Sequence, residues 1–117
     1  MRELLDHKVN PANDVISITV TDEPGPGGAN HRYELGGYDG APVIEFQNGA
    51  INEAGVNGAT HEALLAIVAD RLKSFQAGPY SSRYNAIALT KVEEAMLWLH
   101  KRTLERMHRG VEGTMKI

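Results

Sequence analysis

Two periods of apolar and polar residues divide the chain. From Val15 to Val20, "VISITV" alternates apolar with polar, the period-2 mark of a half-buried strand. "HRYEL" predicts a second strand, closed by "GGYDG". "APVIEFQNG" predicts a third, with Val43, Glu45 and Gln47 on one face and Ile44 and Phe46 on the other. "DEPGPGG" reads as a turn or loop, with two prolines and three glycines from Pro24 to Gly28. Connections this short suit antiparallel pairing, because parallel strands need long crossovers. "RELLDHK", near the start, reads as a helical turn or a frayed end.

After Gly58 the period becomes 3.6. "THEALLAIVADRLKSFQAG" predicts a helix N-capped by Thr60, with Glu62 set against the positive end of its dipole. Leu64, Val68, Leu72 and Phe75 form its apolar stripe, flanked by Leu65 and Ile67. Gly78 is predicted as a left-handed cap, and Pro79 bars continuation. Ser81 or Ser82 then caps a second helix that runs to about His108. Its Leu89, Val92, Met96 and Leu99 are spaced like a heptad seam, while Ile87, Leu97, Trp98 and Leu104 fall outside it. A helix apolar on more than one face is covered on more than one side, by the sheet, by other subunits or by both. The expected fold is therefore α+β: a small N-terminal antiparallel β-sheet of about three strands, then a C-terminal two-helix antiparallel hairpin, assembled as a homo-oligomer. One domain is expected over 1–117, with the sheet in 14–48, the hairpin in 59–108 and a ligand-binding tail at 109–117.

Composition narrows the function. A length of 117 residues fits one domain, and the absence of cysteine excludes disulfides and cysteine-ligated metals. No apolar run approaches the roughly 18 residues that span a bilayer, and no signal peptide is evident, so a soluble protein without membrane contact is expected. The net charge of −3 argues against DNA as a partner. Between Lys101 and Arg109, however, Lys101, Arg102, Arg106 and Arg109 face Glu105 alone, a net of +3 on an otherwise acidic chain. One basic patch on such a chain suits a small anion, although a helix face rich in Arg and Lys is also what simple solvation produces.

Three stretches carry candidate chemistry. "FQAGPYSSRYN" places the rings of Phe75, Tyr80 and Tyr84 beside Arg83, Asn85 and the free backbone donors of a helix start. Such a place can stack a base, worth about 1–3 kcal/mol, or it can be a hairpin turn whose aromatics plug the core. "GAINEAGVNGATHE" offers Gly49, Gly55 and Gly58 with short polar side chains, as a weaker binding loop or a plain connection. It lacks the Gly-Lys-Ser/Thr of a phosphate loop. In "RGVEGT", Gly110 reads as a helix stop, but Gly113 and Thr114 exceed what a stop requires, and they lie near Arg106 and Arg109. Arginine suits phosphate because its planar fork donates two parallel bonds. His7, His31, His61, His100 and His108 show no metal-ligand spacing, and Ser81 and Ser82 lack a placed base. No catalytic residue, metal or cofactor is expected.

In order along the chain, "FQNGxIxEAGVNG", "AIVxDRLxxFQAGP", "NAxALTKxEEAxxWLxxRT" and "RGVEGT" resemble a helical-hairpin domain shared by two phage anti-defence families. These are the first-described Thoeris anti-defence sponges and the anti-CBASS cyclic-nucleotide sponges. The strands before the hairpin are similar to the Thoeris branch. The resemblance implies a non-enzymatic protein, in the cytoplasm of the bacterial host, that sequesters cyclic immune messengers. Its partners would be glycocyclic ADP-ribose isomers made by TIR-domain enzymes, cyclic oligonucleotides such as cyclic trinucleotides, and other copies of itself in dimers and hexamers. For cyclic ADP-ribose the resemblance implies Phe75 stacking on adenine, Asn85 bonding polar groups, Arg102 taking phosphate, and the strand residue Arg32. For a cyclic trinucleotide it implies Arg106, Arg109, Gly113 and Thr114. Two other readings stay open: an enzyme that degrades the messenger, and an oligomeric phage structural protein that binds no messenger.

Overall fold

Four strands, not three, build the N-terminal sheet in the computed structural model, which describes residues Met1–Ile117. Strands β1 (Arg2–Leu4), β2 (Ser17–Val20), β3 (Arg32–Gly36) and β4 (Val43–Glu45) lie in chain order, each antiparallel to the next. The register pairs Arg2 with Val20, Val20 with Tyr33, and Arg32 with Glu45. The added strand is the "REL" that the sequence offered as a helical turn or frayed end. Three residues are too few to display a period. What recruits them is the edge of β2, whose backbone N–H and C=O groups need partners.

A short helix, α1 (Pro11–Asp14), links β1 to β2. Asn10 caps it by accepting the Asn13 N–H at 2.7 Å, and Pro11 opens it where no backbone donor is needed. Val20, 1% exposed, is the best-buried side chain, and the rings of Tyr33 and Phe46 meet edge to face at 5.6 Å. The loop after β4 contains α2 (Ile51–Ala54) and is stitched at its base by Gln47 N–H to Ala59 O and Ala59 N–H to Glu45 O. Inside it, the Asn57 amide accepts from Asn48 N–H and donates to Asn48 O. Gln47 likewise accepts from Asn57 N–H and donates to Gly55 O. The short polar groups of "GAINEAGVNG" thus hold their own loop. These elements form one compact unit, Met1–Ala59, and the rest of the chain, Thr60–Ile117, forms another.

The second unit is a helical hairpin of α3 (His61–Gln76) and α4 (Arg83–His108). Thr60 caps α3 as expected, accepting from Ala63 N–H at 3.1 Å. Of the two candidate serines, Ser82 caps α4, accepting from Asn85 N–H at 3.1 Å. The α4 seam of Leu89, Val92, Met96 and Leu99 is half-buried, while Ile87, Leu97, Trp98 and Leu104 stay exposed on the single chain. The α3 stripe differs from the expected one. Leu64 and Leu72 are half-buried as expected, but the inward positions continue through Leu65, Ala69 and Gln76, leaving Val68 and Phe75 on the outside. Ala69 is small enough to let the helices close. Gln76 is drawn inward because its amide donates to Ser82 O and accepts from Ser82 N–H, both at 3.0 Å. Gly78 is also not the left-handed cap, since its φ is not positive. The two Gln76–Ser82 bonds, with Pro79 between them, turn the chain instead. No helix is long and apolar enough to cross a membrane.

Candidate functional site

The Gln76 lock decides what the hairpin turn shows to solvent. With Gln76 inside, its neighbour Phe75 is rotated outward and is 37% exposed, while Tyr80 is 75% and Tyr84 84% exposed. The aromatics of the turn therefore do not plug the core of the hairpin. Ile67, Arg71, Ser74, Phe75, Pro79 and Tyr80 line an open groove of about 620 Å³. Its chemistry is two rings, one guanidinium, the Ser74 and Tyr80 hydroxyls and the Asp70 carboxylate. Ser74 donates its hydroxyl to Asp70 O at 3.1 Å, the back-bond usual on a helix, so it faces the backbone and not a ligand.

The electrostatics of the turn favour an anion. The first turn of α3 carries Glu62, which offsets the positive end of that helix, but the first turn of α4 has no acid and instead begins with Arg83. Arg71 forms no ion pair or hydrogen bond, and its guanidinium lies 5.0 Å from the Phe75 ring centroid. Lys73 pairs with Glu93 across one face of the hairpin. At 100° per residue, Arg71 and Phe75 lie on the other flank of the α3 seam, and Tyr84, Trp98 and Arg102 on the other flank of the α4 seam. They consequently share the opposite face. Asn85 lies half-buried at the start of α4, and its side-chain amide and the Arg102 guanidinium are both without hydrogen bonds within the chain. Along the helix, however, the 17 residues from Asn85 to Arg102 span roughly 25 Å.

Arg32 lies in the first unit and is engaged there. Its guanidinium meets Glu45 at 3.2 Å, the Thr21 hydroxyl at 3.0 Å and Glu34 at 3.5 Å. It borders a cavity of about 310 Å³ with Asp22, His31, Phe46, Asn48 and Asn57. Partial burial pushes the Asp22 carboxyl up, but the N–H groups of His31 and Arg32 more than offset this and hold its pKa below the ordinary value.

The tail gathers Arg106, Arg109, Gly113 and Thr114 as expected, yet turns their polar groups onto the chain itself. Gly110, at φ +72°, ends α4 in a Schellman motif: Val111 N–H bonds Arg106 O and Gly110 N–H bonds Met107 O, both at 3.0 Å. Gly113, at φ +78°, turns the chain back again. The resulting hook closes around Arg106, which is only 8% exposed. Its guanidinium donates to Lys116 O at 2.7 Å, Val111 O at 3.0 Å, Thr114 O at 3.2 Å and Glu112 Oε2 at 3.2 Å. Arg109 pairs with Glu105 and donates to Ile117 O, and the Thr114 hydroxyl donates to Val111 O. The second glycine is thereby accounted for: it lets the tail's carbonyls converge on one buried cation.

Sequence reading missed Arg71. Its signal was the i, i+4 spacing to Phe75 with no acid three or four residues away.

A family model described as the Acb2/Tad1 hairpin domain matches residues 39–104, which takes in the groove, Asn85 and Arg102 but stops short of the hook. The chain is also 45% identical over 91 residues to a protein named Thoeris anti-defense 1 from Bacillus phage SBSphiJ7. That match covers 77% of this chain but 64% of the relative, so the chain spans a little under two thirds of the relative's length. With more than half of its residues inside the family model, the chain belongs to the Acb2/Tad1 hairpin-domain family.

Proposed function

We propose that this protein is a phage anti-defence sponge: it captures a cyclic messenger of the glycocyclic ADP-ribose type in the cytoplasm of the host and holds it uncleaved. The observation that carries the proposal is the turn groove, where the exposed rings of Phe75 and Tyr80 stand beside the unpaired Arg71 guanidinium. A ring to stack and cations to meet phosphate are what an adenine-bearing diphosphate requires. The name of the phage relative supports the same direction, as a protein that opposes Thoeris defence. The Ser74 hydroxyl is turned onto a backbone carbonyl, which supports capture over attack on the ligand by that group.

Phe75 stacks on adenine, Asn85 bonds the ligand's polar groups and Arg102 takes phosphate. Five helical turns separate Asn85 from Arg102, so one small ligand meets both only if Arg102 comes from a second copy. The exposed apolar residues on the hairpin, Trp98 at 60% among them, supply surface for that pairing. Holding a messenger at nanomolar level takes about −12 kcal/mol. Stacking at about 1–3 kcal/mol per base and charge-assisted bonds at about 1.5–3 kcal/mol each reach that range when several act together. The hook is left out of the proposed site, because Arg106 already has four acceptors.

The test is capture and release. Purified protein is mixed with glycocyclic ADP-ribose isomers and cyclic di- and trinucleotides, freed of unbound ligand and denatured by heat, and the released compounds are identified by mass spectrometry. Intact glycocyclic ADP-ribose is the expected result. A cleaved product would make the protein an enzyme, and no captured compound would leave only an assembly role. Phe75→Ala and Arg102→Ala should lose capture while the mass of the assembly is unchanged.

A further inference from the structure

We infer that Arg71 gates the adenine shelf and then grips the ligand's phosphates, an inference that rests on the proposed function. Arg71 and Phe75 stand one helical turn apart on α3, and the guanidinium covers the ring at 5.0 Å. A base cannot stack on that face without moving it. The guanidinium is free to move, because no carboxylate or carbonyl anchors it: Asp70 lines the same groove, but no ion pair joins the two. This sets Arg71 apart from Arg32, Arg106 and Arg109, each of which is tied to a glutamate.

The exchange has two parts with opposite signs. Uncovering Phe75 gives up a cation–π contact at an exposed site, which weakens base stacking by roughly two- to five-fold. The displaced guanidinium stays in the groove with its five donors unpaired, beside the place where the base has entered. A phosphate linked to that base gives the fork a bidentate partner. Arg71 thus discriminates: it penalises a bare nucleoside and favours one carrying a diphosphate. The groove filters for charge while Phe75 supplies the stacking surface.

The experiment compares the wild-type protein with Arg71→Ala and Arg71→Lys, using NMR titration for adenosine, whose binding is weak, and isothermal titration calorimetry for a glycocyclic ADP-ribose isomer. Arg71 is exposed, so the variants are expected to fold, which their amide spectra verify. Arg71→Ala should bind adenosine about two- to five-fold more tightly than wild type. It should bind the cyclic diphosphate roughly ten- to a hundred-fold more weakly, the size of one charge-assisted contact. Arg71→Lys should recover part of the second loss, having charge without the fork. A residue that merely shapes the groove would move both ligands in the same direction, and that outcome overturns the inference. If Arg71→Ala holds the cyclic ligand as tightly as wild type does, the inference falls while the sponge reading stands. If the wild-type protein takes up neither ligand, both fall together.

Discussion

Replacing Arg106 by alanine tests whether the tail is held by one cation or merely follows the helix. The side chain is 9% exposed and donates to three carbonyls and one carboxylate. Four charge-assisted bonds at about 1.5–3 kcal/mol each would sum to far more than is realistic, because they share one group and are not independent. Removing one partner from a buried charged network costs about 3–5 kcal/mol. The loss is also capped, since the hook can undock while the hairpin stays folded, and no substitution can cost more than the docking it abolishes. The expected loss is therefore about 3 kcal/mol, or the docking free energy of the hook if that is smaller. Hydrogen exchange separates the two cases. The Val111 and Thr114 amides bond Arg106 O and Val111 O within the hook, so their protection should collapse in Arg106→Ala while that of α3 persists. If the loss is global, Tm should fall by roughly 10–15 °C for a domain of this size. Wild-type protection at Val111 and Thr114, with Tm moved by less than about 2 °C, would refute the clamp.

Four further outcomes follow from particular atoms. Gly37→Ala should leave the first unit unfolded by circular dichroism, because an added Cβ would sit 1.8 Å from Val15 O and φ is +91°. Gly110→Ala, at φ +72° with open space around it, should cost only about 1–2 kcal/mol in a thermal melt. Gln76→Leu removes both bonds to Ser82 and should destabilise the hairpin by about 1–3 kcal/mol in urea unfolding, with the Ser82 amide losing exchange protection. Asp22 has a folded pKa below its unfolded value of 3.8, so its contribution is complete above that value and is lost as pH falls through the lower one. In acid titration followed by circular dichroism, Asp22→Asn should be less stable than wild type at neutral pH, and the difference should shrink below pH 3.8.

Much of the fold was legible because the hairpin declares itself through caps and period. Thr60, the α4 seam and Gly110 act locally and behave as their types predict. The misses have non-local causes. β1 is paired because β2 offers an edge, which three residues of sequence cannot announce. The α3 stripe was misread because Gln76 counts as polar, and its burial depends on Ser82, six residues away in the next helix's cap. That misreading bears on the site, since it moves Phe75 from the interior to the surface. Phe75 and Asn85 stand out in the sequence by their place at the hairpin turn, whereas Arg102 is singled out there only by a resemblance. Arg106 was legible as a cation near glycines, but whether it faces out or in depends on where three carbonyls of the tail converge.

In the proposed site, the five-turn separation of Asn85 and Arg102 along α4 would set how capture scales. A pocket completed by a second copy does not exist at low abundance. While most chains are unpaired, the number of pockets grows as the square of the protein's concentration, and a ligand that bridges the halves favours the paired form. Under the proposed function, such a protein would act as a threshold device: little signal would be withdrawn early in expression, and a steep rise in capacity would follow once copies meet.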